Sequence, residues 1–155
     1  MFIAVLAIGL VVGWIVDDES LPVAEVGQPA PDFTVDIIDG GSFTLSERQG
    51  QPVVINLWAS WCPPCRTEIP DISAFAEANP NTIVIGVSVE DSEQGARDFA
   101  AEIGASYPLA LGTPAVEDAY PNIGLPTTYV VDEDGVVTQI INGMVDEEIL
   151  TTAVG

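Results

Sequence analysis

One stretch constrains this chain more than any other: the apolar run Val53-Val54-Ile55-Asn56-Leu57 and the cysteine segment after it. A short run dominated by β-branched residues predicts a strand buried on both faces of a parallel or mixed sheet. Beyond it stands Trp58-Ala59-Ser60-Trp61-Cys62-Pro63-Pro64-Cys65, and the stretch that follows reads as a helix. A cysteine pair with two residues between, placed where a buried strand hands over to a helix, ties the fold to thiol chemistry.

The spacing has a chemical basis. At the first turn of a helix, Cys62 faces unpaired backbone N–H groups and the positive end of the helix dipole. Both stabilise a thiolate, the nucleophilic form of cysteine. Cys65, three residues on, shares its helical face and can resolve a mixed disulfide formed at Cys62. Pro63 and Pro64 suit the first helical positions, where a missing N–H costs little. Three other arrangements use the same residues. A purely structural bridge closes too short a loop to stabilise much in the chain-entropy view. A zinc site needs about four nitrogen or sulfur ligands, and the chain has no histidine and no third cysteine. Two inert cysteines complete the set. Redox exchange is the expectation, with Cys62 as nucleophile and Cys65 as resolving thiol.

The run Asn56-Leu57-Trp58-Ala59-Ser60-Trp61-Cys62-Pro63-Pro64-Cys65-Arg66-Thr67-Glu68-Ile69-Pro70 resembles the membrane-anchored thioredoxin-like thiol-disulfide oxidoreductases of the TlpA/ResA type, which include those serving cytochrome c maturation. The similarity extends from about Gly27 to Val154. It implies an α/β thioredoxin-like fold, a central mixed sheet flanked by helices with an extra N-terminal β-hairpin. It also implies a catalytic domain outside the cytoplasm. Asn56 stands where ordinary cytosolic thioredoxins carry a buried, proton-handling Asp. An amide cannot titrate, so proton handling shifts to Glu68, Glu90 or water.

Composition narrows the function further. Among 155 residues, 3 are basic and 24 acidic, a formal charge of −21. The cations are Arg48, Arg66 and Arg97 alone. Nothing here can neutralise a phosphate backbone, so nucleic acid is excluded as a partner. Without histidine there is no Ser/His/Asp or Cys/His hydrolase. The acidity is either a solvated surface suited to salt, where charges are screened, or a field that steers a basic partner. The acids are spread along the whole chain, which favours the first.

Taken in order, residues 1–16 form a membrane signal-anchor, 17–31 an acidic and proline-bearing linker, and 32–155 the thioredoxin-like domain. Phe2–Val16 carries no charge. As a helix it spans about 22 Å, short of the ~30 Å hydrocarbon core. The other readings are a signal-peptide core or a buried helix, but no basic segment precedes it and no small-residue cleavage pattern comes after it. The expectation is an uncleaved anchor, with Trp14 near the interface and further residues upstream of Met1. Strands over 32–36 and 42–45 flank Asp39-Gly40-Gly41 as a hairpin, and 46–51 is a loop. Then come a strand over 82–89, a helix capped by Ser92 and ended by Gly104, a strand over 107–111 and a short helix over 113–120. A strand over 124–132, a turn at Glu133-Asp134-Gly135, a strand over 136–142 and a helix over 146–154 complete the domain.

Other residues join the thiols. Pro126 matches the family's cis-proline, which implies that Leu125, Pro126 and Thr127 lie against the Cys62–Cys65 pair and offer backbone to an extended substrate. An ordinary trans proline entering a strand is the alternative. Glu68 is either a partly buried carboxylate that exchanges a proton with Cys65 or a first-turn acid facing the helix dipole. Glu90 ends the second core strand at the sheet edge where such folds build sites. Trp61, Pro63 and Pro64 form the surface around the thiols, whereas Trp58 belongs to the core. Arg66 either favours the thiolate or only solubilises.

The resulting expectation is a protein-disulfide reductase. Its redox group is the Cys62–Cys65 disulfide itself, with no added cofactor and no metal. Its partners are protein disulfides and dithiols, apocytochrome c among them, a membrane thiol reductant, and the membrane through the anchor; the protein is monomeric. A thiol peroxidase of the peroxiredoxin class needs a Pro-x-x-x-Thr-x-x-Cys loop, which residues 55–62 lack. A binding module with a locked disulfide is the third class.

Overall fold

The structure is a computed structural model and describes residues 22–155. The anchor over 1–16 and the start of the linker lie outside the described residues. Among those described, no helix is long and apolar enough to cross a membrane.

The fold grows from two apolar strands. The strands β3 (Val53–Trp58) and β4 (Ile83–Ser88) pair in parallel with Ile55 opposite Ile85 and Asn56 opposite Gly86. All six residues of β3 are buried, as its β-branched run requires. Around them a seven-stranded mixed sheet takes the order β2-β1-β5-β4-β3-β6-β7. The N-terminal hairpin is β1 (Thr34–Ile37) with β2 (Ser42–Thr44); β5 (Leu109–Leu111) joins it antiparallel to the core. On the other flank, β6 (Thr127–Val131) runs antiparallel to β3, and β7 (Val137–Asn142) closes the sheet.

Two cores fill the two faces. One packs Val54, Trp58, Cys62, Cys65, Ile69 and Phe75 beneath the helices α1 (Pro63–Ala78), α2 (Glu93–Ile103) and α4 (Glu147–Val154). The other gathers Phe33, Ile55, Val87, Tyr120 and Tyr129 under α3 (Pro114–Ala119). Ser92 caps α2 through its hydroxyl, and Gly104 ends it with φ 63°, a left-handed turn that glycine adopts without penalty.

Two segments read differently in the structure. Residues 24–31 belong to the domain and not to a linker. Ala24 N–H donates to the Ala119 carbonyl at 2.7 Å, Ala30 N–H to Gly135 at 2.8 Å, and Pro29 bridges Val136. Proline lacks only the donor, so a proline-bearing segment can still pair where its neighbours supply the N–H groups. The loop over 46–51 begins with a single 3-10 turn, Leu45–Arg48. Pro70 lies inside α1, which continues to Ala78.

Candidate active site

The site forms at the carboxyl ends of β3 and β4, where the crossover helices begin and open sheets of this class place their ligands. Cys62 is the N-cap of α1, with extended backbone, and Pro63 and Pro64 occupy the first two helical positions. The Cys65 N–H points back to Cys62 Sγ at 3.2 Å. Cys62 and Cys65 are joined in a disulfide. Cys62 is 3% exposed and Cys65 wholly buried, so an attacking or leaving sulfur meets solvent from the Cys62 side. Trp61 stands out beside them, 57% exposed, its indole N–H donating to the Glu90 carbonyl at 2.9 Å.

Glu68 lies one turn beyond Cys65 on the same helix, and it is 1% exposed. One carboxylate oxygen accepts from Asn56 Nδ2 at 2.7 Å and the other from the Val145 N–H at 2.9 Å. Asn56 Nδ2 also reaches Thr128 Oγ1 at 3.1 Å. Burial pushes the Glu68 carboxyl up to about 7, against the pull of its bonds from Val145 and Asn56. Two hydrogen bonds to the ionised form favour it, yet desolvation outweighs them. The first-turn alternative falls away: no acid lies in the first turn of α1. Asn56 thus holds a carboxylate through its amide N–H.

The Leu125–Pro126 bond is cis. The β3–β6 register sets Leu57 opposite Thr127, which brings Leu125 and Pro126 alongside the start of the cysteine loop, and Leu125 packs on the apolar cluster that contains both cysteines. Thr127 departs from a substrate contact through its side chain. It is buried, and its hydroxyl donates to the Gly124 carbonyl at 2.8 Å.

Glu90 is exposed and two residues past β4. Its carboxylate accepts from Asn122 Nδ2 at 3.1 Å, so the structure engages it with a loop amide, with no hydrogen bond to either cysteine. Arg66 is engaged elsewhere on its helix face. It pairs with Glu102 at 2.9 Å and lies over the Phe99 ring. Trp58 is core, stacked on Phe99.

Several participants escaped the sequence. Thr128 supports the buried Asn56–Glu68 pair from 72 positions beyond Asn56, and Val145 from 77 beyond Glu68, separations no local pattern reports. Asp91 anchors the approach to the cysteines, taking Ser60 N–H at 2.5 Å and its hydroxyl at 2.8 Å. Tyr107 is buried with its hydroxyl unpartnered; burial raises its phenol, and the Glu68 charge raises it further.

Comparison with known proteins agrees with this geometry. A family model described as the AhpC/TSA family matches residues 26–140. The thioredoxin-like protein YneN of Bacillus subtilis is 34% identical over 118 residues, covering 74% of this chain and 69% of the relative. The thiol-disulfide oxidoreductase ResA of Geobacillus kaustophilus is 33% identical, covering 79% and 72%. The thiol:disulfide interchange protein DsbE of Pseudomonas aeruginosa is 29% identical over 154 residues, covering 94% and 82%. Among solved structures, a thioredoxin-family thiol:disulfide interchange protein of Chlorobium tepidum superposes with a TM-score of 0.75 at 28% identity, over 82% of this chain and 93% of that one.

Proposed function

We propose a direction, a location and partners for this chain, which belongs to the AhpC/TSA family and is a thiol-disulfide oxidoreductase of the thioredoxin-like fold acting on protein disulfides. It is a reductase. The resemblance to the reductases of cytochrome c maturation supports that direction, and the observation that carries the exchange chemistry is the order of burial along one helix: Cys62 at the open N-cap, Cys65 wholly buried behind it, and the buried Glu68 one turn deeper.

The exchange reaction uses that order. In the reduced protein the Cys62 thiolate attacks one sulfur of a substrate disulfide. The substrate S–S bond breaks, a Cys62–substrate disulfide forms, and the other substrate sulfur leaves as a thiolate that takes a proton from solvent. Cys65 then loses its proton and attacks Cys62 Sγ. The mixed disulfide breaks, the second substrate thiolate departs, and the Cys62–Cys65 bond closes. The substrate has gained two electrons and the protein has lost two. Cys65 needs a base in a site closed to water. Glu68, on the same helical face and poised near 7, is that base. The disulfide is the whole redox apparatus, and no further cofactor takes part.

Trp61, Pro63, Pro64, Leu125 and the cis Pro126 form the surface that receives the substrate, the Pro126 loop through its backbone. The protein works as a monomer, held at the outer face of a membrane by residues 1–16 and recharged by a membrane thiol carrier. The resemblance to reductases of cytochrome c maturation supports an apocytochrome c disulfide as the substrate.

The reduction potential of the full chain tests the direction. Equilibration in dithiothreitol and glutathione buffers at two salt concentrations should give about −250 mV or lower, among thioredoxin-like reductants. A value near about −120 mV places the protein with the strong oxidants and overturns the reductase direction.

A further inference from the structure

We infer that Glu90 and Asn122 are positioning residues, a clasp that fixes the width of the groove in which a substrate segment lies across Cys62; this rests on the proposal that the Pro126 loop receives that segment. Three segments rim the disulfide: the cysteine loop with Trp61, the turn after β4 with Glu90, and the 121–126 loop that leads into the cis Pro126. Glu90 is bonded to both of the others. Its carbonyl accepts the Trp61 indole N–H at 2.9 Å. Its carboxylate accepts from Asn122 Nδ2 at 3.1 Å. The Asn122 side chain in turn accepts the Gly124 N–H at 3.1 Å. One amide side chain therefore links the Glu90 carboxylate to the backbone just before Leu125.

The backbone of Glu90 shows that this turn is held. At φ 52° it is the only non-glycine residue in the left-handed region among those described, a conformation that costs a side-chain-bearing residue free energy and persists only where its surroundings impose it. The surroundings here are bonds at the N–H, which donates to Glu117 Oε1 at 2.8 Å, at the carbonyl and at the carboxylate. The segments that this clasp joins carry exposed apolar side chains: Trp61 at 57% and Ile123 at 89%. Large apolar side chains this exposed on the two segments that Glu90 joins fit an extended peptide with apolar residues flanking its cysteine. A small disulfide needs only the sulfur and does not sense the spacing.

The test compares two probes on the full chain, reduced with dithiothreitol and desalted. One is an oxidised cysteine peptide with apolar flanking residues; the other is dithionitrobenzoate. Stopped-flow second-order constants are measured for wild type, N122A, E90A and E90Q. N122A and E90A should slow the peptide reaction about fivefold, within what one hydrogen bond contributes, and leave the small probe unchanged. E90Q keeps an oxygen acceptor for Asn122 without the charge and should restore the peptide rate. If E90Q is as slow as E90A, charge and not the clasp is at work, and the inference fails. Equal slowing of both probes, or no change on the peptide, also overturns it. The E90A and E90Q pair decides the matter if N122A does not fold. Wild-type protein that reduces neither probe removes the exchange reaction itself, a failure distinct from that of the clasp.

Discussion

At the scale of the residue, Glu68 is the group whose chemistry the fold alters most. Its carboxyl sits near 7 when folded because burial disfavours the charge more than Val145 and Asn56 favour it. In the unfolded chain it titrates near the ordinary ~4.3. The folded state therefore binds a proton that the unfolded state releases between these values. Its contribution to stability is complete below the unfolded value and is lost as pH rises through about 7, a swing of about 3 kcal/mol. Glutamine keeps one oxygen acceptor for the Asn56 and Val145 donors and cannot ionise. Urea denaturation of wild type and E68Q at pH 4.5 and pH 8 should show wild type losing about 3 kcal/mol more than the variant over that range. Parallel losses would mean that Glu68 does not hold its proton in the folded state. The same substitution should flatten the pH dependence of the Cys65 resolving step near neutrality. The motif spacing exposed Glu68 itself, but not the sign of its environment: Asn56 and Val145 are 12 and 77 positions away, and only the closed fold shows that desolvation wins.

At the scale of the element, what was legible reflected local chemistry. The runs 53–57 and 82–89 predicted the two central strands, because β-branched residues in short apolar runs are costly to leave in water. Ser92 and Gly104 bounded α2 because a hydroxyl cap and a left-handed glycine have few other uses. The segment 24–31 was not legible, since prolines mark a linker and a sheet edge alike. Nor was the clasp at Glu90, whose partners are 27 to 32 positions distant. The seam between β4 and β5 is a further case. Gly112 N–H donates to the Ser88 carbonyl at 2.9 Å, and a Cβ at Gly112 would lie 2.0 Å from that same oxygen. The contact is with backbone, so no side-chain rotation relieves it. Gly112→Ala should cost about 1–3 kcal/mol, read from the urea midpoint, as the strand ends are forced apart. A change within about 0.5 kcal/mol, ordinary for a surface site, would show that the β4–β5 seam yields freely.

At the scale of the whole molecule, the charge of −21 opposes the compaction that the two cores drive. Cations offset little of it. Arg66 pairs with Glu102 and Arg97 with Glu93, both at the surface, where such pairs contribute about 1 kcal/mol or less. Arg48 lies over the Phe43 ring. Like charges spread over one small domain repel one another, and folding brings them closer. Salt shortens the reach of that repulsion, from about 10 Å at 0.1 M to about 3 Å at 1 M. The melting temperature should therefore climb as sodium chloride rises from low concentration to about 1 M, by about 2–4 °C for each kcal/mol of repulsion removed. The same series separates the two meanings of the acidity. If the surface serves solvation in salt, the exchange rate with a neutral disulfide peptide and that with a lysine-bearing one should keep a constant ratio as salt rises. If the field steers a basic partner, the lysine peptide should be faster at low salt and lose its advantage as the Debye length falls. A melting temperature that stays flat would mean that the acids are too far apart to repel one another, and the peptide rates alone would then decide whether the field steers a partner.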